Sequence, residues 1–383
     1  MTQQVDEAVK RAGEGSHVLV SGASFAGLAT AYWMNRLGYK VTVVEIAKGL
    51  KRGGTPVDIR EGTVDIVKRM GLFERIWSKR LKPKRTEFRD AGGVTVAALP
   101  PQADDGQNAT EECEIERDVL LEIMFDEIRN DVEFIFDDSI ANLDERGREV
   151  DVTFNSGGQR SFVLVFGCDG NHSAVRRMRF GPESEYAFFL QNYFGIAILD
   201  KLLIEEDTTQ IYNVPGKAVM LNAYNGKTDI VFSFFSENEI PYDYRDQDQQ
   251  RRILHQQFAE EGWRTREMLE EISRCPDFYF DKFCQTKMPS WTRGRVALVG
   301  DAGYCASPAA GMGGSLAIVG ATALADAFQK HDRNFEEAFK EYNRSLRPFV
   351  EEVQVNAAEF GLNLFVPRTE EDIRERNRQL TAT

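Results

Sequence analysis

The stretch VLVSGASFAG, residues 18–27, constrains the fold of this chain more than any other segment. Its apolar start predicts a buried strand at 17–20, and residues 25–37 have the composition of a helix that ends near Gly38. A second apolar strand, KVTVVE, follows at 40–45. A strand, a glycine turn, a helix and a second strand within about 30 residues make a βαβ unit. The sequence therefore predicts an α/β fold with a parallel sheet.

The turn between the first strand and the helix has the residues that a dinucleotide site needs. Gly22 and Gly27 permit a sharp turn and close packing of the helix on the sheet. Ser24 stands where a further glycine usually lets a pyrophosphate approach, but it is small and its hydroxyl can donate a hydrogen bond. Phe25, Ala26 and Gly27 begin the helix and offer free N–H groups to an anion.

The acidic residue at the end of the second strand indicates which nucleotide binds. Glu45 follows Gly27 by eighteen residues. A carboxylate at this place accepts hydrogen bonds from ribose hydroxyls and repels a 2′-phosphate. We therefore expect an adenine dinucleotide without that phosphate in this loop.

Two later strand ends carry further candidate binding residues. Asp169 and Gly170 follow an apolar strand, and Gly300 and Asp301 follow another. A loop rich in proline and glycine, 308–314, then leads into a helix. Each junction alone is compatible with an ordinary strand-to-turn connection, so the prediction of a binding site depends on all three motifs together.

The middle of the chain differs from its two ends. Several aromatic strands lie between residues 186 and 236, and helices follow near 247–273. This arrangement predicts one nucleotide-binding domain made of discontinuous pieces, with a sheet domain for the substrate inserted through it. The predicted units are a disordered tail at 1–15, the nucleotide-binding domain at 16–180 and 285–330 (with part of 75–110 near the substrate side), the sheet domain at 181–284 and a C-terminal helical segment at 331–383.

Composition excludes several classes of function. The formal net charge of −14 argues against a nucleic-acid partner. The longest apolar runs, such as FVLVF at 162–166, are too short to span a bilayer. Neither the five cysteines nor the four histidines have the spacing of a metal site, so no metal is predicted. We expect a cytoplasmic protein with reduced thiols, with a monomer as the default state.

The three motifs, in this order, resemble those of the group A flavoprotein monooxygenases, the family of para-hydroxybenzoate hydroxylase. Within that family the chain is most similar to the tetracycline-inactivating monooxygenases. This closer likeness is carried by GGTPVDIR (53–60), IERDVL (115–120) and GDAGYCASPAAGMGG (300–314). The resemblance covers residues 18–366. It implies a Rossmann-like (GR2-type) FAD-binding domain with an inserted β-sheet substrate domain and a C-terminal helix.

The resemblance also assigns roles to individual residues. Asp301 would bind the ribityl chain of FAD, and Asp169-Gly170 would lie near both FAD and the pyrophosphate of NAD(P)H. Arg117 matches the flavin-binding arginine of the family. Other positions implied near the flavin or the nicotinamide cofactor are Arg52, Asp58, Arg60, Gly311, Met312, Gly313 and Gly314, the last four acting mainly through backbone atoms.

The sequence departs from the family pattern beside the expected flavin. The usual GDAAH is GDAGY here, so Gly303 and Tyr304 replace an alanine and a histidine, and Met312 replaces a glutamine. Tyr304 is also interpretable as a core residue, since aromatic side chains dominate protein cores. These changes leave the substrate open.

The resemblance implies that NAD(P)H reduces FAD and that O₂ forms a flavin C4a-hydroperoxide. One oxygen atom then passes to a phenolic, polyketide or tetracycline-like molecule. No catalytic side chain is predicted, because the flavin performs the chemistry. Candidate substrate residues are Phe189, Met220 and Phe234 from the sheet and Pro308 and Gly311 from the loop, although the sequence does not indicate which side of the sheet faces the pocket.

Two alternative functions remain open. One is an FAD-dependent dehydrogenase or reductase on the same scaffold. The other is a non-catalytic protein that binds a flavin or a drug, because function depends on the site and not on the fold.

Overall fold

The computed structural model describes residues 16–101, 111–276 and 278–381, so the predicted tail at 1–15 lies outside the described residues. The strands are β1 (His17–Ser21), β2 (Lys40–Glu45), β3 (Val57–Ile59), β4 (Arg85–Arg89), β5 (Thr95–Leu99), β6 (Cys113–Ile115), β7 (Glu133–Phe136), β8 (Ile140–Arg146), β9 (Glu149–Phe154), β10 (Gln159–Phe162), β11 (Leu164–Gly167), β12 (Ala187–Leu199), β13 (Thr208–Val214), β14 (Lys217–Tyr224), β15 (Lys227–Phe235), β16 (Phe278–Thr286), β17 (Thr292–Arg293) and β18 (Val296–Leu298).

The helices alternate with these strands in the first part of the chain and dominate its end. They are α1 (Phe25–Arg36), α2 (Gly62–Arg69), α3 (Phe73–Trp77), α4 (Arg117–Ile128), α5 (Ala174–Arg179), α6 (Gln247–Phe258), α7 (Thr265–Arg274), α8 (Asp301–Tyr304), α9 (Gly313–Lys330), α10 (Phe335–Asn356), α11 (Leu362–Phe365) and α12 (Glu370–Thr381).

The predicted βαβ unit lies at the centre of a six-stranded sheet. The strand order is β17-β18-β11-β1-β2-β7, and all neighbours are parallel except β17 and β18. The central strands are nearly continuous apolar runs, as expected for a parallel sheet that is covered on both faces. Helices α1 and α9 pack together, and the indole N–H of Trp33 donates a hydrogen bond to Thr322 Oγ1 at 2.9 Å.

The second large sheet has seven strands in the order β16-β12-β15-β14-β13-β4-β5. Strands β4 and β5 form a hairpin that turns around residues 91–93, and β4 pairs in parallel with β13. This sheet therefore also includes residues 85–99, which come long before the aromatic strand block in the chain. Smaller sheets are formed by β8–β10 and by β3 with β6.

The two faces of the seven-stranded sheet have different neighbours. One face is covered by α6 and α7, where Phe232 and Phe234 pack with Phe258. A Cβ on Gly195 would lie 2.6 Å from Leu254 Cδ1, so α6 approaches the sheet closely at this glycine. We call this the helix-covered face.

The opposite face, which we call the inner face, carries side chains of alternate parity on the same strands, including Phe194, Ile196, Ile198 and Met220. Ile198 Cδ1 lies 3.9 Å from the position of a Cβ on Gly53. Phe194 packs with Leu362, and Ala309 packs against the same cluster. The inner face is thus directed at the loop around Gly53, which follows β2, and at the loop around Ala309, which follows β18.

The C-terminal segment contacts both large sheets. Tyr342 on α10 donates a hydrogen bond to the Leu298 carbonyl in β18 at 3.0 Å. A π-helical turn, Ala357–Gly361, joins α10 to α11. Beyond it, the Gly216 N–H donates to the Pro367 carbonyl at 2.8 Å. Within the described ranges, no helix is both long and apolar enough to cross a membrane.

Candidate functional site

The turn after β1 has a backbone that only glycine allows. Gly22 has a φ of +106°, and a Cβ there would overlap the carbonyl oxygen of Cys168. A Cβ on Gly27 would overlap the carbonyl oxygen of Gly22. Both glycines therefore permit the close packing that the sequence predicted at this turn.

The start of α1 and the end of β2 present complementary polar groups beside this turn. Leu28 is bonded to the Ser24 carbonyl at 2.8 Å, so the N–H groups of residues 25–27 precede the first intrahelical bond. The two carboxylate oxygens of Glu45 accept hydrogen bonds from Ala23 N–H (2.8 Å) and Ala47 N–H (2.9 Å). Since a carboxylate oxygen accepts more than one hydrogen bond, Glu45 is fixed in place and still able to bind a hydroxyl.

The three sequence motifs meet at one edge of the parallel sheet. The position of a Cβ on Gly22 lies 3.3 Å from the Asp169 Cα. A Cβ on Gly300 would lie 2.9 Å from Ala26 Cβ and 3.5 Å from Ala317 Cβ. The second and third motifs are therefore both packed against the first one.

Asp169 stabilises the turn that it belongs to. Its carboxylate caps α5 by accepting hydrogen bonds from Ser173 Oγ, Ala174 N–H (2.8 Å) and Val175 N–H (3.0 Å). Burial raises the pKa of this carboxyl, while the hydrogen bonds oppose the rise. The neighbouring Gly170 has a φ of +79° and open space beside its Cα. The side chain of Asp169 thus holds the loop, and the open backbone at Gly170 is free to meet a ligand.

Asp301 is the least satisfied carboxylate at this edge. It begins α8 and is enclosed by protein, with part of its surface still accessible. Desolvation raises the pKa of Asp301 to about 6, and only a hydrogen bond with Cys305 works against the rise. A carboxylate in such a place gains from a ligand that donates hydroxyl hydrogen bonds.

Arg117 connects the loop at 51–54 with the start of α1. Its guanidinium donates to the carbonyl oxygens of Lys51 (2.9 Å) and Gly53 (2.8 Å) and lies 5.4 Å from the centre of the Phe25 ring. A Cβ on Gly54 would lie 2.6 Å from Arg117 Cδ, so the loop approaches this arginine closely. The predicted flavin-binding arginine therefore also shapes this loop.

Three further predicted residues lie near the same loop. Asp58 pairs with Arg60 at 3.1 Å, and burial raises the pKa of the Asp58 carboxyl. Ser315 on α9 donates to the Asp58 carbonyl at 2.6 Å, which ties β3 to the helix after the glycine loop. Arg52 is exposed and pairs with Glu122 at 3.1 Å.

The loop at 307–314 is held in place from the C-terminal side. Ser307 has a φ of +82° and Gly311 one of +64°. The side-chain amide of Gln354 donates to the Cys305 carbonyl at 3.1 Å, and a Cβ on Gly361 would overlap the carbonyl oxygen of Ala309. The π-helical turn is thus in direct contact with this loop.

The start of α9 is close to the first glycine motif. Met312 precedes the helix, and its carbonyl accepts a hydrogen bond from Leu316 N–H at 2.7 Å. A Cβ on Gly314 would lie 3.3 Å from the Phe25 ring, whereas Gly313 has open space beside it. These two glycines therefore combine close packing with an accessible backbone.

Tyr304 is a core residue, which is the alternative that the sequence left open. It is fully buried, and its hydroxyl oxygen lies within hydrogen-bond distance, 2.9 Å, of the Tyr342 hydroxyl. A Cβ on Gly320 would overlap the Tyr304 hydroxyl, and one on Gly303 would lie 3.3 Å from Trp291 Cδ1. Gly303 and Tyr304, which depart from the family pattern, thus fit in the core because Gly303 and Gly320 have no Cβ.

The structure corrects two of the predicted substrate residues. Phe234 is 0% exposed and stacks on Tyr193 on the helix-covered face, and Phe189 packs against the same cluster. Aromatic residues occur at both parities in this strand block, so their positions in the sequence do not indicate which face they lie on. Only Met220 lies on the inner face, while Pro308 and Gly311 lie in the loop that faces it.

A buried polar group on the inner face was missed by the sequence analysis. Asp229 is fully buried, accepts a hydrogen bond from Tyr224 at 2.8 Å and lies beside Asn222. Asn222 in turn accepts from Lys84, which pairs with Glu114 at 2.6 Å. On β14 and β15 these polar residues alternate with apolar ones, and this pattern in the sequence could have indicated a polar group on one face of the sheet.

Comparison with known proteins identifies the family. Residues 16–357 match the model of the FAD binding domain family. A flavin-dependent monooxygenase of Legionella longbeachae is 35% identical over 345 residues, which are 87% of this chain and 86% of the relative. The chain belongs to the FAD-dependent monooxygenase family.

Two solved structures are similar to this chain over nearly its whole length. The crystal structure of tetracycline destructase Tet(51) superposes with a TM-score of 0.84 at 34% identity and covers 96% of both chains. That of Tet(55) has a TM-score of 0.83 at 32% identity, with 95% of this chain and 94% of that one covered. An uncharacterised protein of Mycobacterium tuberculosis is 38% identical over 88% of this chain and 91% of its own.

The residues of the site fit the cofactor of this family, which is FAD. The free N–H groups at the start of α1 suit a diphosphate. Glu45 suits a ribose, and the poorly satisfied Asp301 suits a hydroxyl donor. The fold prediction is confirmed, including the FAD-binding domain and the C-terminal helix.

Proposed function

We propose that this protein hydroxylates a flat aromatic or polycyclic small molecule at the expense of NAD(P)H and O₂. One oxygen atom enters the substrate and the other leaves as water, with two electrons from NAD(P)H and one proton. When bound, FAD supplies the electron transfer and the activation of O₂. The protein binds and orients the reactants and excludes water.

One observation carries this proposal: the three cofactor motifs converge on an edge that faces a largely apolar sheet surface. Gly22, Asp169 and Gly300 are packed together there, and Ile198 on the inner face reaches Gly53. A cofactor at that edge would lie within reach of a substrate on the inner face. Apolar walls with a few polar groups are typical of sites for small molecules.

The adenosine half of FAD would be held by the first motif. Glu45 would accept ribose hydroxyls, and the N–H groups of residues 25–27 would bind the diphosphate with help from the helix dipole. Ser24 and the backbone of Gly170 would border the same diphosphate. Asp169 would act by holding its loop.

The flavin half would be held by the later motifs. Asp301 would accept hydrogen bonds from ribityl hydroxyls, and Arg117 would border the ring system with the loop at 51–54. The N-terminus of α9, with Gly311–Gly314, would stabilise negative charge on the reduced ring. Asp58 and Arg60 would lie beside the ring, and Arg52 would lie where the nicotinamide cofactor approaches.

The substrate would bind between the inner face and the loop at 308–311. Met220, Ile196 and Ile198 are half-buried on that face and offer an apolar wall. Tetracycline-type molecules are candidates, because the two tetracycline destructases exceed 30% identity over nearly the whole chain. Phe189 and Phe234 are left out of this surface.

The test uses the purified holoenzyme. We expect flavin absorbance, NAD(P)H oxidation that a panel of phenolic and polycyclic compounds stimulates, and one ¹⁸O atom in the product when ¹⁸O₂ is supplied. Hydrogen peroxide is measured in parallel, so that oxidation without transfer to the substrate is recognised.

The alternatives give different results. A dehydrogenase or reductase would oxidise NAD(P)H without placing ¹⁸O in a product. A binding protein would retain the ligand without NAD(P)H consumption. Folded protein that takes up no FAD contradicts the proposal itself.

A further inference from the structure

We propose that Arg368, stacked on Phe235 at one end of the inner face, recognises an anionic oxygen of the substrate. The inference rests on the proposed function and deepens it, because it makes the substrate a flat molecule with a carboxylate or enolate group.

The position of Arg368 follows from its contacts. Its Cζ lies 3.3 Å from the centre of the Phe235 ring. Phe235 ends β15 opposite Asn192 and has the parity of Ser233, which pairs with Phe194 on the inner face. The hydrogen bond from Gly216 N–H to the Pro367 carbonyl fixes the chain just before the arginine. Because the guanidinium lies over the ring, its charge lies on the inner face.

A second arginine adds positive charge nearby. Arg376 is 8% exposed, lies 4.3 Å from the centre of the Phe88 ring and donates to Asn213 Oδ1 at 2.7 Å and to the Leu364 carbonyl at 3.1 Å. Its acceptors are all neutral. Desolvation lowers the pKa of Arg376 to about 10, and it lowers that of Arg368 as well.

Neither guanidinium forms an ion pair with any carboxylate in the part of the chain that the structure describes. This is unexpected in a chain with 61 acidic residues and a net charge of −14. An unpaired charge costs more free energy the more it is buried, so this cost is larger for the buried Arg376 than for the partly exposed Arg368. A partly exposed arginine at the edge of a substrate surface can receive a partner of opposite charge from the substrate.

The surroundings define the class of ligand. The guanidinium is a planar fork that matches a carboxylate or an enolate oxygen pair, and it keeps its charge at all relevant pH values. From Phe235 to Asp229 the strand contains seven residues, whose six intervals span about 20 Å. This length accommodates several fused rings along Met220 and Ile198, with the acidic group at the arginine.

The test compares one acid with its ester. Equilibrium dialysis of the oxidised holoenzyme without NAD(P)H gives the affinity for 3-hydroxy-2-naphthoate and for its methyl ester. We expect the wild type to prefer the acid by about tenfold, the scale of a charge-assisted hydrogen bond. Arg368→Gln should reduce the preference to about twofold or less without weakening ester binding. Arg368→Lys should retain part of it, since lysine keeps the charge but not the fork.

Arg374→Gln is the matched control, since Arg374 is an exposed residue of α12 with the same charge. It should preserve the wild-type preference. Flavin absorbance checks that each variant is folded. Should Arg368→Gln lose its flavin, the salt dependence of wild-type binding decides, because only binding of the acid should weaken in KCl.

Equal binding of acid and ester by the wild type, no binding of the acid, or an unchanged ratio in Arg368→Gln overturns the inference. Its failure is distinct from failure of the proposed function. An enzyme that inserts ¹⁸O into neutral compounds but shows no acid preference refutes only the role of Arg368. A holoenzyme that prefers the acid but never incorporates ¹⁸O refutes only the oxygen transfer.

Discussion

The edge of the parallel sheet and the inner face of the seven-stranded sheet are built in different ways. At the edge, the contacts involve backbone atoms, and glycine is the residue type that fits at positions 22 and 27. On the inner face, the contacts involve side chains, and a residue contributes only if its parity directs it away from α6 and α7. Glycine positions are visible in a sequence, whereas the parity that faces a pocket is not.

The sharpest test of this contrast is Gly27→Ala. The added Cβ would overlap the Gly22 carbonyl, so we expect a loss of about 3 kcal/mol or more of stability and little bound FAD. The melting temperature and the ratio of flavin to protein absorbance measure both effects. Gly170→Ala is the control: its φ of +79° is strained for alanine but its surroundings are open, so it should cost only about 1–2 kcal/mol. Full FAD content in Gly27→Ala would contradict the packing described for this turn.

The two faces of the sheet are compared by Phe234→Ala and Met220→Ala. Phe234 is fully buried under Phe258, so its removal should cost about 3–5 kcal/mol in a denaturant titration. Met220 is half-buried on the inner face, so its removal should change stability less and raise the KM for the substrate. The reverse pattern would show that the assignment of the faces is wrong.

The substitution Asp301→Asn tests whether the carboxylate of Asp301, at the edge of the parallel sheet, contributes to FAD binding. We expect FAD affinity to fall by about tenfold when the carboxylate is lost. Because burial raises the pKa of Asp301 to about 6, the wild-type carboxyl is protonated below that pH and accepts hydroxyl hydrogen bonds less well. Wild-type affinity should therefore fall as the pH drops below about 6, while the variant should give a flat profile from pH 5 to 8. Flavin fluorescence titrations measure both, and a pH-dependent variant would exclude Asp301 as the titrating group.

Asp229→Asn tests a charge on the inner face. Burial raises the pKa of Asp229 to about 7, above its unfolded value near 4, so the folded protein binds the extra proton and loses stability as the pH rises from about 4 to 7. The variant removes this cost and should be about 1–3 kcal/mol more stable than the wild type at pH 8, with little difference at pH 4. Thermal melts at both pH values give the answer. Lower stability of the variant at pH 8 would mean that the charged form is the one stabilised by Lys84 and Tyr224.

The smallest effect is expected for Ser24→Gly, which restores the usual glycine. The Ser24 side chain does not cap α1, and the residue is half-buried in an extended conformation that serine adopts easily. FAD affinity should change by about threefold or less, as measured by dialysis of the flavin. A larger change in either direction would show that the hydroxyl contacts the diphosphate strongly.

The cofactor motifs can be located in the sequence because their requirements are local. A glycine that must admit a carbonyl oxygen, as at Gly27, and an acid at the end of β2, as at Glu45, are set by a few neighbouring residues. The order of the motifs then placed them at one edge of the sheet, since the carboxyl ends of parallel strands lie together.

Two other features depend on residues far away in the chain: the face of the seven-stranded sheet on which a side chain lies, and the position of Arg368. Phe189 and Phe234 differ from Met220 only in what covers their side of the sheet, and α6 and α7 decide this. Arg368 acquires its position from the Gly216 turn more than 150 residues earlier. A single sequence shows neither the covered face nor the position of Arg368, because both depend on how separate segments pack.

The strand order described above determines when the cofactor can be received. β1 lies between β2 and β11, and the groups that would enclose one FAD extend from Gly22 to Gly314. During synthesis from the amino terminus, the first binding loop emerges long before Asp301 and the start of α9. A growing polypeptide would therefore lack the flavin half of the proposed site until the segment up to Gly314, about four-fifths of the chain, has been synthesised.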